Sequence, residues 1–489
     1  ADLTSLRMAL QFLKQQSSGL KRTVILSDFY ESGHTNEDLY GEVAALLILY
    51  NIEKLIGIGS SITNALKAER ALKLVEHFEC AFYPDTDSFI HDFKSSHFTN
   101  ECILIKGARL FGFERIVHLF DAKVHQTLLE INLAAIAHNL KQYQQIIKRG
   151  TKVMAMVKAF AYGSGGAEIA GILQYNNIDY LSVAYADEGI DLRKAGISVP
   201  LMVMNADEES FQSLVEHNLQ PVLYSMHLLF AFEAYLNEVG IQHYPVHIEV
   251  ETGMNRLGFA LAEIDELAAH ISKSGHLKIE SVFSHLAASD NEAQDTFTHQ
   301  QAVVFKEAVS KIEQYIAYPF IKHIANSAAI IRHPQLQLDM VRLGIGLYGI
   351  EIATHVLALQ QTATLRTTIA QIKKVCRGET VSYNRTGVVQ QDAVIATTRI
   401  GYADGFSRRL GNGVGKMWIN GRLAPVIGAV CMDMTMIDIT GIENVQEGDE
   451  VIVFGADLPI EQVADWLGTI PYEVMTSVSQ RVKRIYFQE

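Results

Sequence analysis

Eight short apolar runs alternate with helix-like segments between residues 153 and 349, and this alternation constrains the fold more than any other feature of the chain. Eight strands that alternate with helices over about 200–250 residues are typical of a (β/α)8 barrel. Charged and polar residues follow the ends of these runs, where such barrels place their chemistry. The predicted strands are Val153–Ala159, Tyr180–Ala184, Pro200–Asn205, Gln220–Ser225, Val246–Thr252, Ile279–Leu286, Ile321–Asn326 and Met340–Gly346.

The segments on both sides of the predicted barrel have different patterns. After Ile352, short alternating runs separated by Gly, Asn and Asp predict a mostly-β domain with a helix over Ile460–Leu467. The predicted strands of this domain are Ala370–Val375, Ala393–Ile400, Lys416–Ile419, Pro425–Val430, Thr435–Ile439, Glu450–Phe454 and Ser479–Tyr486. Residues 1–120 have the rhythm of a small parallel α/β sheet. We therefore predict an α/β domain over residues 1–122, a TIM barrel over 123–352 and a β-rich domain over 353–489.

The composition limits the possible partners and compartments. A net charge of −14 over 489 residues argues against nucleic acid and against anionic membrane surfaces as partners. The four cysteines are far apart, without metal-ligand spacing, and they suggest a reducing compartment. No segment is long and apolar enough to span a bilayer, and the first residues suggest an amphipathic helix rather than a signal peptide. We expect a cytoplasmic protein.

Lys158 ends the first predicted barrel strand, in the sequence Val-Met-Ala-Met-Val-Lys158-Ala-Phe-Ala-Tyr162-Gly. Burial favours the neutral amine of a lysine, and a neutral amine is what a Schiff-base nucleophile requires. A lysine at the end of a strand can also extend its ammonium group into water. This stretch alone leaves both interpretations open.

Further motifs recur at the ends of the later runs, in a fixed order. Together with the Lys158 motif, this set resembles the alanine racemase family, the fold-type III pyridoxal phosphate enzymes, over roughly residues 124–489. The motifs are Glu251-Thr-Gly-Met-Asn-Arg256-Leu-Gly, Ser284-His285, Ala325-Asn326-Ser327-Ala, Arg342-Leu-Gly344-Ile345-Gly-Leu-Tyr-Gly, Val381-Ser-Tyr383, Gly401-Tyr402-Ala-Asp-Gly405, Cys431-Met432-Asp433 and Pro471-Tyr472-Glu.

The resemblance implies racemisation of L- and D-alanine with two bases on opposite faces of the substrate. Lys158 would bind pyridoxal 5′-phosphate as a Schiff base and act as one base, and Tyr383 of a partner subunit would act as the other. A homodimer with shared active sites follows. A tyrosine is a poor base unless its phenolate is stabilised, and His285 matches the histidine that hydrogen-bonds it. Taken alone, His285 could equally be a hydrogen-bonded core histidine.

The remaining matches concern the cofactor and the substrate. Arg342, supported by His323, would face the pyridine nitrogen and keep it unprotonated, although a purely structural Arg–His contact is the alternative. The phosphate would bind Tyr162, Ser327, Gly344, Ile345 and Tyr472. Arg256 and Asn326 match residues around the cofactor's phenolic oxygen and the substrate carboxylate, which the backbone N–H of Met432 would also bind. Tyr402 and Asp433 match residues of the access channel.

Four positions depart from the family pattern. Glu249 stands where many members have a carbamylated lysine, and its carboxylate could supply the same negative charge. Phe160, Ser164 and Ala429 replace residues that are common in the surroundings of the site.

Residues 1–122 contain motifs that resemble the C-terminal domain of the Mur ligase that adds D-alanyl-D-alanine. They are Thr23-Val-Ile-Leu-Ser-Asp28-Phe-Tyr-Glu31-Ser-Gly33, Ile56-Gly-Ile-Gly59 and Cys102-Ile-Leu-Ile-Lys106-Gly-Ala-Arg109. This implies a truncated ligase–racemase fusion that supplies D-alanine for peptidoglycan synthesis. Ligase activity is not expected, because the chain has no Walker-type phosphate-binding motif. The alternative is a domain that only caps or tethers the racemase.

Other functions stay open at this stage. A racemase of other specificity, such as for serine, would carry the same motifs. A fold-type III decarboxylase should place an acidic group at the pyridine nitrogen, where this chain has Arg342. A pyridoxal phosphate carrier would not need Tyr383, and a scaffold that delivers D-alanine to a ligase is compatible with racemisation.

Overall fold

The computed structural model describes residues 3–17, 19–29, 35–67, 78–94, 97–121, 126–350 and 356–488. The chain divides into two compact units, Ala1–Gln126 and Thr127–Glu489. The predicted domain boundaries at 122/123 and 352/353 lie outside the described residues, as do Glu31 and Gly33 of the ligase-like motif.

The first unit contains a four-stranded parallel sheet in the order β3-β2-β1-β4. Apolar clusters cover both faces of the sheet, one packed against helices α1 to α3 and the other against α4 and α5. This arrangement confirms the predicted α/β pattern. The elements are β1 (Lys21–Ser27), β2 (Lys54–Ile58), β3 (Glu79–Tyr83), β4 (Glu101–Lys106), α1 (Leu3–Gln16), α2 (Asn36–Leu49), α3 (Ser60–Lys67), α4 (Thr86–Asp92) and α5 (Glu114–Asp121).

The second unit contains the predicted barrel, with eight parallel strands in consecutive order. Strands β12 and β13 are joined by fewer backbone bonds than the others, among them Asp339 N–H to the Lys322 carbonyl at 3.1 Å. The strands are β6 (Lys152–Met156), β7 (Tyr180–Val183), β8 (Leu201–Val203), β9 (Gln220–Leu223), β10 (Tyr244–Glu249), β11 (Leu277–Phe283), β12 (Ile321–His323) and β13 (Met340–Leu343), and β5 (Leu128–Asn132) precedes them.

Helices connect the barrel strands on the outside, and their buried residues are mainly apolar. These helices are α6 (Leu133–Ile146), α7 (Gly166–Tyr175), α8 (Ala186–Lys194), α9 (Phe211–Glu216), α10 (Met226–Glu238), α11 (Ile264–Ile271), α12 (Asp295–Glu313) and α13 (Ser327–Arg332).

The C-terminal part of the second unit is a mostly antiparallel sheet in the order β19-β18-β21-β14-β17-β20. Strand β5, from the residues before the barrel, pairs with both β14 and β22, so this sheet takes strands from both ends of the unit. The elements are β14 (Ala363–Val375), β15 (Thr380–Val381), β16 (Gly387–Val388), β17 (Ala393–Thr398), β18 (Lys416–Ile419), β19 (Arg422–Pro425), β20 (Thr435–Asp438), β21 (Glu450–Phe454), β22 (Lys483–Phe487), α14 (Ile460–Leu467) and α15 (Pro471–Ser477).

All eight predicted barrel strands are present, but most end before the predicted residue. The polar residues of the site therefore lie in the loops beyond the strands rather than on them. In the C-terminal part, the strand predicted over Pro425–Val430 is wrong, because β19 ends at Pro425 and only Val426 forms an isolated bridge, with Ile437. The final strand begins at Lys483 rather than Ser479, because residues 479–482 form a turn closed by Val482 N–H to the Ser479 carbonyl.

Candidate active site

Lys158 lies two residues beyond the end of β6 and begins an unusual backbone turn. Ala159, Phe160, Ala161 and Tyr162 all have φ between 50° and 55°, which is the left-handed helical region. This region is less favourable by about 1–2 kcal/mol in conformational free energy for a residue with a Cβ. Four such residues in succession, next to a half-buried lysine, are the kind of strain that is concentrated at functional sites.

Glu188 holds this turn, although the sequence analysis did not identify it. One carboxylate oxygen accepts the backbone N–H of Ala159 at 2.5 Å and that of Phe160 at 3.4 Å. The other accepts the N–H groups of Ala184 and Tyr185, at 2.7 and 3.3 Å. A Glu at the third position of α8 is an ordinary capping signal, so the sequence indicated the second pair of bonds but not the first.

The amine of Lys158 lies in a positively charged environment. Burial lowers its pKa most, and the charges of Arg256 and Arg342 lower it further, while Glu188 opposes this change. The neutral amine is therefore favoured over what is usual for lysine. Of the two interpretations of Lys158, this arrangement favours the nucleophile.

Arg342, on β13, is a fully desolvated cation with neutral partners. Its two Nη groups donate to His323 Nδ1 at 2.7 Å, to the Ser284 carbonyl at 2.6 Å and to the Ile324 carbonyl at 3.2 Å. Burial lowers its pKa to about 10, which still leaves it charged at neutral pH. Within the described part of the chain, none of these hydrogen bonds uses its Nε–H. The predicted contact with His323 is present.

His285 accepts a long hydrogen bond from Arg342 Nη2 at its Nδ1, at 3.5 Å. Burial, followed by the charges of Arg342, Arg256 and Lys158, lowers the pKa of His285 to about 3. The imidazole is therefore neutral, with Nε2 as the nitrogen that can donate. The positive charge beside His285 comes from Arg342.

Glu249 ends β10 and is almost fully buried. Burial raises its pKa, while the charges of Arg256 and Arg342 lower it in part. Arg256 itself is exposed, in the loop after β10. The carboxylate thus interacts electrostatically with both guanidinium groups, and its replacement of a carbamate stays a prediction.

Several small and hydroxyl-bearing residues meet beyond β13. Ser327 Oγ accepts the N–H of Gly344 at 2.9 Å, and the rings of Tyr162 and Tyr472 lie 5.8 Å apart. A Cβ on Gly344 would lie 3.0 Å from the Tyr162 hydroxyl and 3.8 Å from Ser327 Oγ. Ile345 begins a 3-10 helix, Ile345–Tyr348. Asn326 caps α13 through the N–H of Ala329 and accepts from Ser289.

The four other predicted residues lie in the β-rich part and are exposed. Met432 is bonded through its carbonyl to Ala403 N–H at 3.0 Å, and Asp433 pairs with Arg481 at 2.7 Å. Arg408 lies over the ring of Tyr402 at 5.9 Å. Tyr383 is 68% exposed, in a turn fixed by Ser382 Oγ, which donates to the Ala429 carbonyl at 2.6 Å.

A half-buried amine beside two guanidinium groups, at the C-terminal ends of barrel strands, defines a barrel enzyme equipped for covalent chemistry on a carbonyl group. Comparison with known proteins is more specific. The family description "Alanine racemase, N-terminal domain" matches residues 131–352, and "Alanine racemase, C-terminal domain" matches residues 362–486. The chain belongs to the alanine racemase family.

Individual relatives agree with this assignment. The chain is 39% identical over 372 residues to the alanine racemase of Methanococcus maripaludis, covering 74% of this chain and 99% of the relative. The solved alanine racemase of Clostridium difficile 630 is 34% identical, with a TM-score of 0.71, covering 75% of this chain and 97% of that chain. The alanine racemase of Bartonella henselae, solved with covalently bound pyridoxal phosphate, is 27% identical, with a TM-score of 0.69, covering 74% and 100%.

We predict that a small amine-modifying reagent modifies Lys158 at lower pH than it modifies an exposed lysine, because the lowered pKa of Lys158 leaves more free amine. The measurement is the extent of cyanate modification against pH by peptide mass spectrometry, with the exposed Lys373 as internal control. Arg256→Gln should move the Lys158 profile to higher pH, since it removes a charge that lowers the pKa. Profiles of Lys158 and Lys373 that coincide would contradict the prediction.

Proposed function

We propose that this chain interconverts L- and D-alanine with pyridoxal 5′-phosphate attached at Lys158. The observation that carries the proposal is the half-buried Lys158 amine beside Arg256 and Arg342, at the rim of a barrel of the alanine racemase family. Bound there, the cofactor supplies an electron sink that acidifies the Cα–H of the amino acid. The protein must supply the two bases and hold the substrate carboxylate.

The residues beyond β13 fit the cofactor's phosphate. Gly344, without a side chain, leaves open the space between the Tyr162 hydroxyl and Ser327 Oγ that a Cβ would fill. Tyr472 stands beside Tyr162, and the N–H of Ile345 opens a 3-10 helix. Hydroxyl groups and backbone N–H groups without bulk are the donors that a phosphate requires.

The other end of the cofactor fits Arg342. Its Nη groups are occupied by fixed acceptors, and its Nε–H is the donor left for the pyridine nitrogen. A cation that donates a hydrogen bond keeps that nitrogen unprotonated, which limits the electron sink and favours racemisation over transamination. A decarboxylase would need an acidic group here, and the described contacts of Arg342 place only neutral acceptors around it.

We assign the two bases to Lys158 and to Tyr383 of the partner subunit, one on each face of Cα. Lys158 fits the first role because its environment favours the neutral amine. For the second, neutral His285 can donate Nε2–H to the phenolate oxygen, while Arg342 supplies the stabilising charge behind it. Each base takes a proton from one enantiomer and returns one to the other.

The substrate carboxylate would bind Arg256 and the backbone N–H of the partner subunit's Met432, with Asn326 near the cofactor's phenolic oxygen. Tyr402 and Asp433 would line the access channel. The side chains of Tyr383, Tyr402, Met432 and Asp433 are exposed, and the first three are among the exposed large hydrophobic residues of the unit. This exposure supports a homodimer whose partner covers the site.

For the rest of the chain, we keep the proposal that residues 1–122 are a tail related to the Mur ligase domain and that the product serves peptidoglycan synthesis. The parallel four-stranded sheet of the first unit is compatible with it. We also propose a cytoplasmic location, which the wide spacing of the four cysteines in the sequence supports. Within the described residues, no helix has both the length and the apolar character needed to cross a bilayer.

The proposed activity predicts that the purified chain with added pyridoxal phosphate forms D-alanine from L-alanine, and that Lys158→Ala does not. Enantiomer-resolved chromatography measures the product, and cofactor absorbance measures attachment. Cofactor attachment without D-alanine would contradict racemisation of alanine, and the same assay with L-serine would then test the alternative substrate. Absence of cofactor binding would contradict the whole proposal.

Gly344→Ala should weaken pyridoxal phosphate binding by at least about tenfold, because the new methyl group would occupy the space between Tyr162 and Ser327. The matched control is Gly275→Ala, since a Cβ on Gly275 meets no atom within 4 Å. Titration of the apo-protein with cofactor measures both. Equal affinities in the two variants would mean that the phosphate binds elsewhere.

Shared sites predict complementation between two inactive variants, Lys158→Ala and Tyr383→Phe. A mixed dimer has one site with both bases intact, so random remixing of equal amounts should restore about a quarter of the wild-type activity. If Tyr383 acted in its own subunit, each site of the mixed dimer would lack one base, and activity would stay absent. Tyr383→Phe alone should keep the absorbance of the attached cofactor.

A further inference from the structure

Five consecutive barrel strands each contribute one polar side chain to a single hydrogen-bonded chain. The bonds join Arg342 Nη1 to His323 Nδ1 at 2.7 Å, His323 Nε2 to Ser281 Oγ at 2.9 Å, Ser281 Oγ to His247 Nδ1 at 2.6 Å, and His247 Nε2 to Gln220 Oε1 at 3.0 Å. The strands are β13, β12, β11, β10 and β9 in that order. The three middle residues are fully buried.

The direction of every bond follows from the guanidinium group. Arginine only donates, so His323 Nδ1 accepts and the proton of the neutral ring is on Nε2. His323 therefore donates to Ser281, whose hydroxyl hydrogen is left for His247 Nδ1. His247 must then carry its proton on Nε2, which donates to the amide oxygen of Gln220. One orientation satisfies all five groups.

Both histidines stay neutral in this environment. Burial lowers the pKa of His247 to about 3, and burial with the charge of Arg342 lowers that of His323 well below its usual value. A protonated or Nδ1–H His323 would direct an N–H group at the guanidinium and displace it. The chain of hydrogen bonds excludes the Nδ1–H tautomer, and burial excludes the protonated ring.

We propose that Ser281, His247 and Gln220 are positioning residues for Arg342: together with the guanidinium they fix the tautomer of His323, because Ser281 accepts the Nε2–H of the ring, and the guanidinium is thereby held with Nε–H directed at the cofactor's pyridine nitrogen. This inference rests on the proposed function only where it directs the Nε–H of Arg342 at the cofactor's pyridine nitrogen. The usual content of a barrel interior is branched aliphatic residues. A chain of polar groups there destabilises the fold unless every group has a hydrogen-bond partner. A fully hydrogen-bonded chain specifies one geometry.

The hydrogen-bonded chain also crosses the seam between β12 and β13, which are joined by fewer backbone bonds than the other barrel strands. Strands β12 and β13 are neighbours at the two ends of the sheet order. The Arg342–His323 bond lies across this seam, where a small displacement of β13 would move the guanidinium. Bonds that continue through β11, β10 and β9 anchor His323 to the continuous part of the sheet.

The test compares Ser281→Ala with Ser182→Ala. Both serines are buried on barrel strands, but the Ser182 hydroxyl has no hydrogen-bond partner within the described structure, so its loss controls for removal of a buried oxygen. The first readout is ¹⁵N NMR of the imidazoles in the holoenzyme labelled at histidine, with the His323 signal assigned by its absence in His323→Asn. The second is the ratio of pyridoxamine phosphate and pyruvate formed to alanine racemised.

We expect wild type and Ser182→Ala to show His323 as the Nε2–H tautomer alone. Ser281→Ala should show a second tautomer, about tenfold lower kcat and a severalfold higher share of transamination. His247→Leu should behave like Ser281→Ala, and His247→Asn, whose Oδ1 can still accept from Ser281, should recover the single tautomer. A His323 tautomer that is unchanged in Ser281→Ala, or a changed tautomer with unchanged kinetics, would overturn the proposal.

Failure of the proposed function gives a different result. If the wild type does not racemise alanine, the kinetic readouts are lost, but the tautomer of His323 in wild type and variants still tests the hydrogen-bonded chain. A lower melting temperature in Ser281→Ala with unchanged tautomer and product ratio would show that the chain only stabilises the barrel, and this result too would overturn the positioning role.

Discussion

The burial of one guanidinium group, that of Arg342, determines much of the site around it. A buried cation must have acceptors for its N–H groups, and the chain provides backbone carbonyls and neutral imidazoles rather than a directly bonded carboxylate. Burial lowers the pKa of His285, His323 and Lys158 most, and the charge of Arg342 lowers all three further. Neutral histidines, and a lysine whose neutral form is more favoured than usual, therefore follow from burial next to this cation.

The left-handed turn at 159–162 is the second constraint, and it depends on Glu188. A strand that continued in extended conformation would separate the Cα atoms of Lys158 and Tyr162 by roughly 13 Å, at about 3.3 Å per residue, whereas a helical turn keeps residues that are four apart close together. The turn costs backbone energy, and the N–H bonds of Ala159 and Phe160 to the Glu188 carboxylate oppose that cost. Strain at this position is a feature of the site rather than a defect of the fold.

The sequence predicted the eight barrel strands, the first-unit sheet and the family, because each depends on hydrophobic periodicity or on motifs of fixed spacing. It could not predict contacts between residues distant in the chain. Nothing near Glu188 indicates that its carboxylate reaches Ala159, and His247, Ser281 and Gln220 look like isolated polar residues in apolar runs. Strand β5 pairs across more than 200 residues with β14. Helix Pro471–Ser477 is short and was missed for the same reason: tertiary packing rather than periodicity stabilises it.

The positive cluster also explains why two chemically unlike bases suit one site. Positive charge favours the unprotonated form of an amine, as it does for Lys158, and the same charge would favour the anionic form of a phenol placed beside it, as the proposed second base requires. Glu249 partly compensates the positive charge of Arg342 without bonding to it directly. Its carboxylate raises the pKa of that guanidinium. Its own burial raises its pKa, so it loses its charge at higher pH than an ordinary glutamate. As the pH falls, Glu249 therefore loses its negative charge early, and the positive charges of Arg256 and Arg342 around Lys158 are then less compensated.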